Sequence, residues 1–195
     1  MVRTRVGYSG GVKQNPTYYE LGNHTETYQV DFDPGQISYS DLIEVFWALH
    51  NPHAAVHGPQ YKAVVFFHNT EQEQIARDTA ARIEAESGRT VTTEIREAET
   101  FWLAEDYHQK YALRNTDPLI AEMRRFYDVD SREFIDSTLA ARLNAYAGLR
   151  GHESILLDEL ASYGATPATQ EVLREVGPLL RSEAVAVCGL VDNGI

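Results

Sequence analysis

Cysteine is nearly absent from this 195-residue chain, which has one, Cys188. A lone thiol cannot close an intrachain disulfide, so no covalent framework staples the fold, and a reducing, cytoplasmic setting is expected. Positive charge is also scarce, with 17 Lys and Arg against 29 Asp and Glu and a formal net charge of -12. Such a surface repels polyanions, which excludes nucleic acid as a partner and argues against an anionic membrane surface. Long apolar runs are missing: none approaches the roughly 20 residues a helix needs to span a bilayer. No apolar stretch follows the charged opening Met1-Val2-Arg3-Thr4-Arg5, so a secretory signal is not expected. The histidines do not complete a zinc pattern either. His50, His53 and His57 straddle a proline-containing loop, His24-x-Glu26 stands apart, and no metal is expected.

What is present is enough apolar content, 43% of residues, to bury a core. The element pattern begins with a strand, Thr4 to Tyr8, ending in the turn-forming Ser9-Gly10-Gly11. After a polar loop, Glu26 to Asp33 alternates, with Tyr28, Val30 and Phe32 on one face, and reads as a second strand. Ser38 with Asp41 three residues later signals a helix start, and Leu42, Ile43, Phe46, Trp47 and His50 continue at helical spacing. Tyr61 to Phe67 reads as a buried strand. Thr70-x-x-Glu73 opens a helix that Gly88 should stop. Val91 to Ile95 reads as a further strand and Ala104 to Arg114 as a further helix. From Asp117-Pro118 the character turns helical, with starts at Ser131 and Thr166 and continuation to Arg181. These readings divide the chain into an α+β core over 1–115 and a helical extension over 116–195. The order β, β, α, β, α, β is that of a ferredoxin-like α/β sandwich without its first β-α unit.

The densest cluster of chemistry-bearing residues is Gly7-Tyr8-Ser9-Gly10-Gly11, Asn15-Pro16-Thr17-Tyr18-Tyr19-Glu20 and Gly22-Asn23-His24-Thr25-Glu26-Thr27. On pattern alone, Tyr8 and Tyr61 also read as core aromatics and Glu20 as an exposed loop acid. Together with Phe46-Trp47, His50-Asn51-Pro52, Gln60-Tyr61 and Phe101-x-Leu103-Ala104-Glu105-Asp106-Tyr107-His108-Gln109-Lys110-Tyr111, the cluster resembles the A-class peptide methionine sulfoxide reductases. The likeness is close to continuous from Val2 to Tyr111 and weaker through Ala140-Ala141-Arg142-Leu143-Asn144-Ala145-Tyr146.

The resemblance implies reduction of the S-epimer of methionine sulfoxide, free or in proteins, in protein repair. It implies a thioredoxin-type dithiol as electron source and no metal or organic cofactor. By the same resemblance Glu20 is the acid and Tyr8 and Tyr61 the phenols that hold the sulfoxide oxygen, with His108 in the site wall. An oxide leaves poorly unless protonated, so Glu20 is expected in an apolar pocket that raises its pKa, with Tyr18 and Tyr19 supplying part of the surface.

Two departures from the family stand out. The family's nucleophilic cysteine sits in a Gly-Cys-Phe-Trp-Gly turn ahead of the strand that opens this chain, and Met1 stands where the family has a valine. A start inside a longer reading frame is the expectation, leaving this chain impaired in turnover. An inactive methyl-sulfoxide-binding module is the alternative, and a poorly folding remnant a third reading. The second departure is the short loop between Pro52 and Gln60, which lacks an aspartate that many members carry. Cys188, in Ala184-Val185-Ala186-Val187-Cys188-Gly189, matches the location of the family's recycling cysteine, and equally suits a small buried hydrophobe.

Overall fold

The computed structural model describes residues 2–55, 58–148 and 157–175. They form a mixed α+β structure that divides into two compact units: one of the described residues within 6–105, and one of those from 106 onward together with 2–5.

In the first unit, β1 (Arg3–Ser9, entering from the second unit) lies between β2 (Thr25–Asp31) and the short β5 (Trp102–Leu103). β5 is antiparallel to β1, with Gly7 opposite Leu103 and Tyr8 opposite Trp102. A second sheet pairs β3 (Val64–Phe67) with β4 (Glu94–Glu97) in parallel, Val64 opposite Glu94 and Phe67 opposite Glu97. Parallel neighbours need a crossover, supplied here by α2 (Thr70–Ser87). β2 and β3 each form an edge of their own sheet.

Helix α1 (Tyr39–Ala48) starts as its sequence dictates: Ser38 Oγ accepts from the Asp41 N–H and the Asp41 carboxylate accepts from the Ser38 N–H, a complete capping box. Ile43 and Trp47 bury against Val65 and Ala76. Trp47 keeps its indole N–H satisfied by donating to Thr79 Oγ1 at 3.0 Å. Asn69, rather than Thr70, caps α2 by accepting from the Gln72 N–H, and Gly88 stops that helix at φ 66°. A second cluster packs Tyr8, Leu21 and Ala104 with Val6 and Trp102.

The second unit is helical: α3 (Tyr111–Arg114), α4 (Asp117–Met123), α5 (Arg132–Asp136) and α6 (Thr138–Ala147), followed by helical turns over 157–163 and 167–175. Leu113, Ile120, Met123, Phe134, Leu143 and Leu173 build its core. Ser131 and Thr166 cap their helices, accepting from Phe134 N–H and Thr169 N–H, in line with the sequence reading. Residues 2–5 join this unit through Arg3–Asp136 at 3.3 Å, Arg5–Asp136 at 3.7 Å, and Thr138 Oγ1 donating to Val2 O.

Four sequence readings are corrected. The continuous helix expected over Ala104 to Arg114 is instead a 3₁₀ turn (Asp106–His108) and α3, broken by Lys110 at φ 55°. An L-residue in that left-handed region ends helical hydrogen bonding, and nothing in the local periodicity signals it. The strand expected from Tyr61 begins at Val64, because Gln60 and Tyr61 lie in a turn. The strand expected over Val91 to Ile95 is Glu94–Glu97, in register with β3. The second strand ends at Asp31, so Phe32 lies beyond it. Helix to Arg181 falls outside the described residues, as do His57 and Cys188.

Candidate functional site

The turn after β1 is built by close approach. Gly10 sits at φ 77°, and a Cβ on Gly11 would lie 2.6 Å from the His24 backbone nitrogen and 2.7 Å from its ring. His24 is 1% exposed. Its Nδ1 accepts from the Gly11 N–H at 3.1 Å, so Nε2 carries the proton and donates to Lys13 O at 2.8 Å. One buried imidazole thus fixes both ends of the loop between Gly11 and His24. That loop is pinched again where the Glu20 N–H donates to Thr17 O at 3.1 Å, and Val12 N–H donates to Asn23 Oδ1 at 3.0 Å.

Glu20 stands on this loop with its side chain 75% exposed, 2.8 Å from the Lys13 ammonium. The hydrogen bond from Lys13, then its charge, holds the Glu20 carboxyl below the ordinary carboxylate range. The apolar pocket expected to raise that pKa is not built by the described residues. Tyr18 and Tyr19 contact each other edge to face at 5.4 Å, but Tyr19 is 87% exposed. A cation in reach and open solvent both favour the ionised form.

Tyr8, by contrast, is 2% exposed in the β1 core. Its hydroxyl donates to Glu105 Oε2 at 2.7 Å, and Glu105 Oε1 accepts from the Tyr18 N–H at 2.9 Å. Glu105 therefore joins the phenol to the Glu20 loop, a role the sequence reading missed. The signal was present only as a carboxylate inside the Ala104-Glu105-Asp106 motif, 97 residues from its partner. Tyr61 is 66% exposed, in a turn that is tied to the start of β2. There the Glu26 N–H donates to Gln60 O at 3.1 Å and Thr25 Oγ1 donates to Pro59 O at 2.9 Å. The loops that carry Glu20 and Tyr61 are thus both anchored on the segment His24-Thr25-Glu26. His108 belongs to the second unit, where it packs against Tyr107 with ring centroids 4.2 Å apart.

Of the histidines considered as ligands, the described ones are engaged in hydrogen bonds. His50 bonds Phe46 O and Thr93 Oγ1, both at 2.9 Å, and His53 bonds Thr90 O at 2.9 Å. Among the described residues no group of three or more His, Cys, Asp or Glu side chains is arranged to hold a metal. Among the same residues no helix is long and apolar enough to cross a membrane. A recess of this unit with a volume near 560 Å³ lies elsewhere, lined by β2, α1 and β3 and not by Tyr8, Glu20 or Tyr61.

A family model described as peptide methionine sulfoxide reductase matches residues 1–137. The peptide methionine sulfoxide reductase MsrA of Methanothermobacter thermautotrophicus is 43% identical over 127 residues, covering 59% of this chain and 75% of its own length. The peptide methionine sulfoxide reductase of Drosophila melanogaster is 35% identical over 178 residues, covering 88% of this chain and 69% of its own. Among solved structures, methionine sulfoxide reductase A of Corynebacterium diphtheriae superposes with a TM-score of 0.52 at 31% identity. The match covers 58% of this chain, which spans 64% of that one.

Proposed function

Because the chain belongs to the peptide methionine sulfoxide reductase family, we propose that its chemistry is the reduction of methionine S-oxide, S-epimer, to methionine. The observation that carries the site assignment is the buried Tyr8 hydroxyl, 2.7 Å from Glu105, which is tied in turn to the loop bearing Glu20. A sulfoxide presents one strongly polar oxygen, and a buried phenol is a donor of the right kind for it. Tyr8 has a single proton, which the free protein gives to Glu105. A sulfoxide oxygen therefore competes with that carboxylate, and Glu105 acts as a positioning residue. Tyr61 and Glu20 are proposed to complete the pocket as oxygen-holding phenol and acid. The ferredoxin-like arrangement is proposed for the α+β core, on the order β1, β2, α1, β3, α2, β4.

The reaction balances on sulfur alone. A thiolate attacks the sulfoxide sulfur, the acid gives a proton to the sulfoxide oxygen, the oxygen passes to the attacking sulfur as a sulfenic acid, and the substrate leaves as a thioether. A second thiol then condenses with the sulfenic acid, forming a disulfide and releasing water. The substrate gains the two electrons that the thiols lose, so no metal or organic cofactor is needed, and a thioredoxin-type dithiol restores the thiols. Cys188, the one thiol of the sequence, is proposed as a recycling cysteine.

A second reading, a methyl-sulfoxide-binding module without turnover, draws support from Glu20. Paired with Lys13, its carboxyl is held ionised and is a poor proton donor. Turnover of an S-epimer methionine sulfoxide peptide with dithiothreitol separates the two. Turnover lost in Cys188→Ser makes Cys188 the nucleophile. Turnover only when the chain is extended upstream of Met1 assigns the nucleophile to that extension. Binding without turnover in either form supports the module, and neither binding nor turnover contradicts both readings.

A further inference from the structure

The turn that carries Glu20 is closed by its own backbone. The Glu20 N–H donates to Thr17 O at 3.1 Å, the bond of a four-residue turn, and the Thr17 N–H donates to Glu20 O at 3.4 Å. Thr17 Oγ1 also accepts from the Glu20 N–H, at 3.2 Å. Tyr18 and Tyr19 therefore occupy the two tip positions, and Tyr18 is held from outside the turn by Glu105 Oε1, which accepts its N–H at 2.9 Å. Such tips ordinarily carry glycine, asparagine, aspartate or serine, whose side chains suit the tight backbone. Two tyrosines add nothing to the turn itself.

The two rings differ in surroundings. Tyr18 is 37% exposed, whereas Tyr19, at 87%, is the most exposed large hydrophobic side chain among the described residues. The Tyr18 ring braces Tyr19 edge to face, with centroids 5.4 Å apart and planes at 85°. Lys13 and Glu20 balance each other's charge at 2.8 Å, so what the tip offers a neighbour is an aromatic ring rather than a net charge. A tyrosine has two side-chain torsions to fix, and here the backbone beneath it is already pinned. An aromatic side chain displayed in this way gives up little freedom on contact, which is why such residues serve as anchors at interfaces.

The identity of what it meets follows from its neighbour in sequence. Glu20 is the acid of the proposed sulfoxide site, and consecutive Cα atoms lie about 3.8 Å apart both in this turn and along a bound peptide. A ligand whose sulfoxide reaches Glu20 brings the residue beside the oxidised methionine to Tyr19. Free methionine sulfoxide has no side chain to place there. We propose that Tyr19 is a specificity-determining residue whose ring packs against an apolar side chain flanking the sulfoxide, so that the site takes methionine sulfoxide within a polypeptide in preference to the free amino acid. This inference rests on the sulfoxide reading of the Glu20 loop.

Calorimetric binding to the full chain tests it with two capped pentapeptides, each with S-epimer methionine sulfoxide at its centre. One has leucine on both sides of the sulfoxide and the other has glycine. The parent should bind the leucine-flanked peptide about tenfold more tightly, the scale of one aromatic anchor. Tyr19→Ala should abolish that preference while leaving affinity for the glycine-flanked peptide unchanged, and Tyr19→Phe should keep it. Parent affinities that ignore the flanking residue, or a preference that survives Tyr19→Ala, overturn the proposal. Equal weakening of both peptides by Tyr19→Ala also overturns it, because the residue would then act on the sulfoxide site itself. Loss of the preference in Tyr19→Phe would assign it to the hydroxyl and contradict packing by the ring. If the parent binds neither peptide, the sulfoxide reading fails first and this inference falls with it.

Discussion

His24 shows how much a single residue sets at this site. Its ring accepts from one backbone group and donates to another, 13 and 11 residues away, and is itself 1% exposed. His24→Ala would leave the Gly11 N–H and the Lys13 carbonyl without that partner, at a cost of roughly 1–3 kcal/mol for each group that stays buried. We expect a lower urea midpoint together with weaker sulfoxide binding, because the loop carrying Glu20 loses its clamp. A variant that keeps both midpoint and affinity would remove His24 from the account. At this scale Tyr8, Glu20 and Tyr61 could be named from the sequence through family likeness, but their environments could not. Whether a carboxylate meets a cation or an apolar wall depends on where Lys13 folds back, and no spacing rule encodes that. Glu105 was hidden for the same reason, as its partner Tyr8 lies on a strand 97 residues away.

Elements with local causes were legible. Ser38 with Asp41, Gly88 and Ser131 each satisfy or end a helix through groups within a few residues, so the sequence pattern and the geometry agree. The stretch from Ala104 to Arg114 was not, because its break depends on Lys110, held at φ 55° with its ammonium donating to Thr4 O. Burial, followed by the Asp136 charge acting the other way, lowers the Lys110 pKa to about 8 from 10.5. The unfolded chain therefore holds a proton between pH 8 and 10.5 that the native chain has released, so stability from this group rises with pH across that window. Its cost is fully present below pH 8. Urea midpoints of the parent measured against Lys110→Met should show the parent gaining on the variant from pH 7.5 to pH 10. A constant difference would mean that the folded state does not depress this lysine.

For the molecule as a whole, the α+β character and the helical second part followed from periodicity, as did the order of strands and helices through β4, while β5 was not foreseen. The division of the chain did not, since residues 2–5 belong with the helical unit through Arg3, Arg5 and Thr138, a long-range pairing that no local pattern carries. Nor did the separation of the strands into two sheets, which long-range pairing sets. The central claim is that the first unit keeps the oxygen-binding part of a sulfoxide reductase, with the Tyr8 phenol at its centre. Calorimetric binding of peptides carrying the S- or the R-epimer of methionine sulfoxide tests it, on the parent chain and on Tyr8→Phe. The account predicts selective binding of the S-epimer, weakened about tenfold by loss of one hydroxyl. Equal affinity for the two epimers, or an S-epimer affinity untouched by Tyr8→Phe, would contradict it.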